Sequence, residues 1–396
     1  MDAESVAAVI FVFLLSIFLF RKRKAIQWNG FFPVAYFAML RTKLGLRYMD
    51  VIAQKFPKTI RVFGYLGIII GFLGMGALAF ELVKNLVTVF IVKEAVPGVV
   101  PVLPIKVEGV FYVPFFYWII SIFIIAVVHE FAHGVVARAH NISVKSSGFA
   151  FLGILVPIIP AAFVEPDEED LGKEKTRKQL AVFAAGPFSN IILAFLSLGI
   201  FILIANFALG PMIQQTGVEI SGYYVVDNVT SPAEDAGVQV GEVITKINAK
   251  EMKTVQEFRD YLGKEVKAGE TVELVTNRTS YQITLKQKPG DGEEPYLGVY
   301  VKQGSEINPG FKEKYGSIIP AVVIWIIGLF YWLYLLNLGI GIFNLVPIGP
   351  IDGGRMLKTC LEAIMKNKKA AHAVWKYISL FFLAILLTLL VLGFVK

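Results

Sequence analysis

Three residues in "VVHEFAHGVV" (127–136) carry the first chemical signal in the chain: His129, Glu130 and His133. On a helix, two histidines four residues apart project from one face within one turn, a separation that one zinc ion can span. Glu130 is offset along the same helix, within reach of a metal-held water for which a carboxylate can act as general base. Two imidazoles and a base suit peptide hydrolysis once a third ligand is supplied. HExxH is short and arises by chance in soluble helices, but this copy ends an uncharged apolar run. A His–Glu pair at membrane depth is costly unless it faces a polar cavity, which favours a metal site over simple packing.

The third ligand must come from elsewhere. His140 lies seven residues beyond His133, nearly two helical turns or about 10 Å along the axis, too far for the same ion. His372 follows the amphipathic "GGRMLKTCLEAIMKNKK" and reads as a surface residue. The better candidate is in "NLVPIGPIDGG" (344–354), where Asn344, Pro347, Pro350, Gly353 and Gly354 interrupt a second apolar run. Asp352 is the only carboxylate between Glu313 and Glu362. Irregular backbone at membrane depth is tolerated only where it lines protein or a water-filled cavity. A Pro/Gly segment presenting one aspartate is suited to complete a His₂Asp site.

The elements that must hold these residues are membrane spans. Of 396 residues, 56% are hydrophobic and 17% charged, against about 25% charged in soluble chains. Six apolar runs stand out: Ser5–Phe20, Val62–Phe90, Val110–Arg138, Gln179–Phe207, Ser317–Val346 and Tyr377–Val395. The first is followed, not preceded, by Arg21-Lys22-Arg23-Lys24, so it reads as an uncleaved anchor and not as a signal peptide. Residues 21–61 are rich in Lys and Arg, as are 138–178 and 347–376. The positive-inside rule puts all three in the cytoplasm, with the N-terminus and 208–316 outside. Within 21–61, the mixed apolar and basic residues suggest a segment lying along the cytoplasmic interface. The net charge of +7 follows this topology and gives no reason to expect a nucleic-acid partner. A single cysteine, Cys360, excludes a disulfide framework or thiolate zinc cluster within one chain.

Residues 208–303 break the apolar pattern. Runs such as "YYVVDNV", "TVELVT" and "YQITLK" read as strands, "TVQEFRDYLG" reads as a helix, and Gly237, Gly241, Gly269 and Pro289-Gly290 signal turns. The stretch "SPAEDAGVQVGEVITKINAKEM" (231–252) resembles a PDZ domain of the protease-associated type, with Ala249 where that family usually has Gly. The resemblance places Ser221–Val226 near a groove that takes an extended peptide by strand addition. A spacer or filter that docks the substrate ectodomain is the alternative role.

HExxH in one span and Asn-x-x-Pro-x-x-Pro-x-Asp-Gly in a later one together resemble the site-2 protease family of intramembrane zinc metalloproteases. That resemblance implies one Zn²⁺ ion held by His129, His133 and Asp352, with Glu130 as catalytic base. It assigns Asn344 and Pro347 to substrate handling. "AAFVEPDEED" (161–170) and "KTRKQLAVFAAGPFSN" (175–190) match further family stretches, the latter with a Gly-Pro-x-x-Asn motif at Gly186, Pro187 and Asn190. Asn190 is expected to contact substrate or transition state, or to make a helix–helix hydrogen bond. "SSGFAFLGILVPIIP" resembles a membrane-reentrant β-hairpin that pairs with unwound substrate. The strings and domain order look most like archaeal members.

The expected fold is therefore a polytopic α-helical membrane protein with about six spans, a membrane-associated β-hairpin and one inserted α+β PDZ-like domain. Its expected parts are a two-span region (1–109), a first catalytic region (110–207), the PDZ-like domain (208–303) and a second catalytic region (304–396). The expected partners are the lipid bilayer and a transmembrane protein substrate, with a PDZ ligand or substrate ectodomain as a further one. Two other functions compete: an inactive PDZ-bearing membrane scaffold, and a metal transporter. A transporter should line several helices with polar residues, and the second and sixth spans offer almost none.

Overall fold

The computed structural model describes residues 3–31, 35–92, 95–107, 109–154, 156–224, 230–288 and 294–395. The chain divides into two compact units: Met1–Phe201 with Ile326–Lys396, and Ile202–Trp325.

The first unit opens with helix α1 (Ala3–Lys22), strands β1 (Ile26–Phe31) and β2 (Ala35–Thr42), and helices α2 (Leu46–Lys55) and α3 (Pro57–Ile91). Short strands β3 (Val102–Leu103) and β4 (Phe111–Tyr112) lead into α4 (Phe115–Ala139). The antiparallel pair β5 (Val144–Ile154) and β6 (Val156–Pro166) follows, then α5 (Glu168–Lys173) and α6 (Thr176–Ile204). After the second unit the chain returns through α11 (Ile318–Phe343), α12 (Asp352–Ile364) and α13 (Lys368–Val395). Among the described residues, five helices are long and apolar enough to cross a membrane: α3, α4, α6 with its extension to Met212, α11, and α13 up to Phe394. This is a multi-pass membrane protein with an inserted mixed α/β unit. The predicted first span forms α1, a 20-residue helix that is not among those five.

Small residues let the spans approach. A side chain on Gly64 of α3 would meet Ala181 of α6 at 3.0 Å and Val136 of α4 at 3.1 Å. One on Gly67 would meet the Ala184 carbonyl at 3.3 Å. Packing between spans relies on such close backbone approach because lipid offers no hydrophobic drive for helices to associate. Val136, Ala137, Ala181, Val182 and Ala185 form one buried cluster along the α4–α6 seam.

The segment 21–61, expected to lie along the interface, contains two strands that its sequence did not signal. Strands β1 and β2 pair antiparallel, and β2 extends the β5–β6 pair into a four-stranded antiparallel sheet of order β1-β2-β5-β6. Tyr36 to Thr42 lie opposite Gly153 to Ser147. At Gly148 a Cβ would lie 2.1 Å from the Leu40 carbonyl, so glycine is required where β2 joins β5.

The second unit contains α7 (Gly210–Met212), β7 (Ile213–Tyr223), α8 (Pro232–Asp235), β8 (Val243–Ile247), β9 (Lys250–Glu251), α9 (Val255–Lys264), β10 (Thr271–Thr276) and β11 (Ser280–Thr284). It closes with β12 (Lys286–Gln287), β13 (Pro295–Tyr296), β14 (Val299–Ile307) and α10 (Pro309–Tyr315). The main sheet runs β11-β10-β8-β7-β14, with β9 paired to β8. Helix α9 begins with a capping box, in which the Thr254 hydroxyl accepts from the Glu257 amide and the Glu257 carboxylate accepts from the Thr254 amide. Val218, Ile220, Ile244, Ile247, Leu274 and Ile283 center the apolar core. Of the predicted strand "YYVVDNV", Tyr223 ends β7, while 225–229 lie outside the described residues, as does the last part of the predicted groove segment.

Candidate metal centre

Helix α4 runs unbroken through the HExxH segment, so His129 and His133 fall on one face as their spacing requires. Asp352 arrives from the far end of the sequence as the first residue of α12. The chain leaves α11, turns through 344–351, and closes when the Gly353 amide donates to the Asn344 carbonyl at 2.7 Å. A Cβ on Gly353 would lie 2.3 Å from the Leu345 carbonyl oxygen, and one on Gly354 would lie 2.0 Å from that of Ile348. Both glycines are therefore needed for the turn that delivers Asp352.

His129, His133 and Asp352 are 8%, 8% and 9% exposed. His129 Nε2 is 3.0 Å from Asp352 Oδ2, His133 Nε2 is 3.4 Å from the same oxygen, and the two Nε2 atoms are 3.1 Å apart. A tetrahedral zinc site with bonds of about 2.0–2.1 Å spaces its ligand atoms by about 3.3 Å. The three donor atoms match one face of that tetrahedron. This donor set is a zinc-type cluster, and its chemistry fits the ion: two imidazole nitrogens and one carboxylate oxygen leave a fourth position open.

Helix α6 forms the back wall. A Cβ on Gly186 would lie 2.3 Å from His133 Nε2 and 2.6 Å from His129 Nε2. Glycine there keeps clear the space onto which the donors converge. The His133 ring is held from behind, its Nδ1 2.6 Å from the Val182 carbonyl. Asn190, also on α6, is fully buried, with Nδ2 3.0 Å from His129 Nδ1.

Glu130 is partly buried and turned toward the sheet, where its Oε2 accepts the Val164 amide of β6 at 2.9 Å. A cavity of about 210 Å³ adjoins it, lined by Phe123, Val127 and Phe131 of α4, Phe149 of β5, Phe163 of β6 and Met49 of α2. Asn344 is half-buried and Pro347 buried in the segment that precedes Asp352. His140, excluded on spacing, ends α4 with its ring 5.6 Å from that of Tyr65. His372 is exposed and packs on Trp375. Neither joins the cluster. Two contributors were missed in the sequence: the Val182 carbonyl, which as a backbone atom leaves no mark, and the steric role of Gly186, signalled only by a glycine before Pro187 in an apolar helix.

A His–His–Asp cluster held among spanning helices, beside the glutamate of HExxH, defines a zinc-dependent membrane metalloendopeptidase. The chain belongs to peptidase family M50, whose model matches residues 117–387. It is similar to an uncharacterized protein of Methanocaldococcus jannaschii, with 26% identity over 93% of this chain and 88% of that protein. It is also similar to the zinc metalloprotease RasP of Shouchella clausii, with 30% identity over 52% of this chain and 55% of that one. RasP of Oceanobacillus iheyensis is 26% identical over 51% of this chain and 55% of its own. The chain thus spans about half the length of the two RasP proteins.

Proposed function

We propose that the chain hydrolyses peptide bonds within or beside transmembrane helices of membrane-anchored proteins, as a site-2-type protease in regulated intramembrane proteolysis. The observation carrying this reading is the convergence of His129, His133 and Asp352 donor atoms at 3.0–3.4 Å among apolar helices. These residues hold one zinc ion, which when bound supplies a Lewis acid and a water acidified toward neutrality. Glu130 takes the proton from the attacking water and passes it to the leaving amine. The Val164 amide holds the Glu130 carboxylate between uses.

A substrate helix must unwind to expose its carbonyl, and strand pairing replaces the hydrogen bonds it loses. The outer edge of β5 is taken by β2, so we assign the pairing edge to β6, an outermost strand of the sheet. The cavity beside Glu130 receives an apolar substrate side chain. Asn344 and Pro347 guide the substrate strand past Asp352. Asn190, expected from the sequence to touch substrate or transition state or to bond between helices, is buried against His129.

In the same reading α1 is a sixth span, the N-terminus and the inserted unit are extracytoplasmic, and the metal centre opens toward the cytoplasm, following the placement of Lys and Arg. The inserted unit is PDZ-like and filters or docks the substrate ectodomain. Similarity to the Methanocaldococcus jannaschii protein over 93% of the chain supports an archaeal-type member. The test uses detergent-purified wild type and Glu130→Gln, each given a reporter helix with helix-breaking residues. Both should hold about one zinc per chain, and the variant should cut about 10²–10⁴-fold more slowly. Zinc in both and cleavage by neither would favour the scaffold reading; absence of zinc from both would remove the ligand assignment.

A further inference from the structure

The stripe Val182, Gly186, Asn190 recurs every four residues on α6, so the three share one helix face. All three meet the imidazoles of α4: Val182 through its carbonyl, Gly186 through its missing side chain, and Asn190 through its amide. At His133 the arrangement is complete. A carbonyl oxygen can only accept, so His133 Nδ1 carries a proton, and in the neutral ring that a zinc ligand requires Nε2 keeps its lone pair toward the metal position beside Asp352.

At His129 the same logic meets a mismatch. Asn190 Nδ2 stands 3.0 Å from Nδ1, and a donor there would require the histidine proton on Nε2. That atom faces Asp352 Oδ2 and His133 Nε2, where a ligand needs a lone pair. Asn190 Oδ1 is meanwhile buried without a hydrogen-bond partner among the described residues. Turning the carboxamide by 180° exchanges its donor and acceptor ends and removes the mismatch at Nδ1. The side-chain oxygen then accepts the Nδ1 proton of His129, as the Val182 carbonyl does for His133.

We infer that Asn190 is a positioning residue, whose side-chain oxygen holds His129 in the Nδ1-protonated tautomer and aims Nε2 at the metal. This rests on the zinc reading given above and reassigns Asn190 from substrate contact to the support of a ligand. Groups that accept the second ring proton of a ligating histidine fix its tautomer and orientation, and their loss lowers metal affinity about 10–100-fold.

The test compares the full-length wild type with Asn190→Leu, which keeps the shape without the acceptor, and Asn190→Asp, which keeps an acceptor without a donor. Zinc itself is the probe, titrated against a chromophoric chelator, alongside the melting temperature of each metal-free form. The Leu variant should bind zinc about 10–100-fold more weakly and the Asp variant at least about as tightly as wild type. Unchanged zinc affinity in Asn190→Leu overturns the inference, whether cleavage falls, as for a substrate contact, or only melting falls, as for a helix–helix bond. If the Leu variant fails to fold, Asn190→Asp decides: wild-type zinc affinity supports the acceptor role and a comparable loss refutes it. Wild type that binds no zinc refutes the metal reading itself, a separate result.

Discussion

Two buried carboxylates, one in each unit, show how burial for structure differs from burial for chemistry. Glu242, in the inserted unit, is 1% exposed and surrounded by donors. It accepts from the Thr276 hydroxyl at 2.7 Å, the Tyr281 hydroxyl at 2.9 Å and the Gln239 amide at 3.4 Å. Asp352 is almost as buried, at 9%, but the atoms facing it are imidazole Nε2 atoms 3.0 and 3.4 Å away, on rings backed by Asn190 and the Val182 carbonyl. The first carboxylate has its hydrogen bonds completed by the protein. The second lies against two imidazole nitrogens, and on the zinc reading a cation held by all three completes the group. Burial alone does not distinguish structure from function; the type of the facing atoms does.

The largest effect outside the reacting groups is expected at the α6 back wall. Gly186→Ala places a methyl group 2.3–2.6 Å from both Nε2 atoms, so zinc content should fall to background and cleavage with it. Gly199→Ala, in the same helix with nothing within 4 Å of its added Cβ, is the matched control and should retain zinc. Equal zinc in both variants would show that the α6 wall does not bound the metal site.

A smaller effect is expected at the carboxylate of the inserted unit. Glu242→Gln turns one acceptor into a donor facing hydroxyl and amide donors. Loss of those bonds should destabilise the inserted unit by about 1–3 kcal/mol, read as an earlier unfolding transition. Zinc content should not change. Zinc loss in this variant would mean that the two units do not behave separately.

The sequence exposed the site better than the sheet. His129 and His133 are local, four residues apart on one helix, and Asp352 stands out because prolines and glycines interrupt an apolar run around it. The pairing of β1 with β2 and of β2 with β5 leaves less trace in the sequence. Strand β5 lies more than 100 residues away, and "AIQWNGFFPVAYFAML" has an apolar–aromatic makeup that reads equally well as interfacial. Only Gly30 and Pro33 hinted at a turn. Asn190 was visible as a polar residue in an apolar helix, but its partner depends on how α6 packs against α4. Long-range contacts between spans leave little imprint on local pattern, and the Val182 carbonyl leaves none.

The metal centre is tested most directly by the zinc content of Asp352→Ala beside wild type, both purified as folded full-length chains without added metal. About one zinc per wild-type chain and none above background in the variant is the expected result, because two imidazoles without the carboxylate do not complete the site. Equal zinc in the two proteins would place the ion elsewhere and contradict the His129–His133–Asp352 centre.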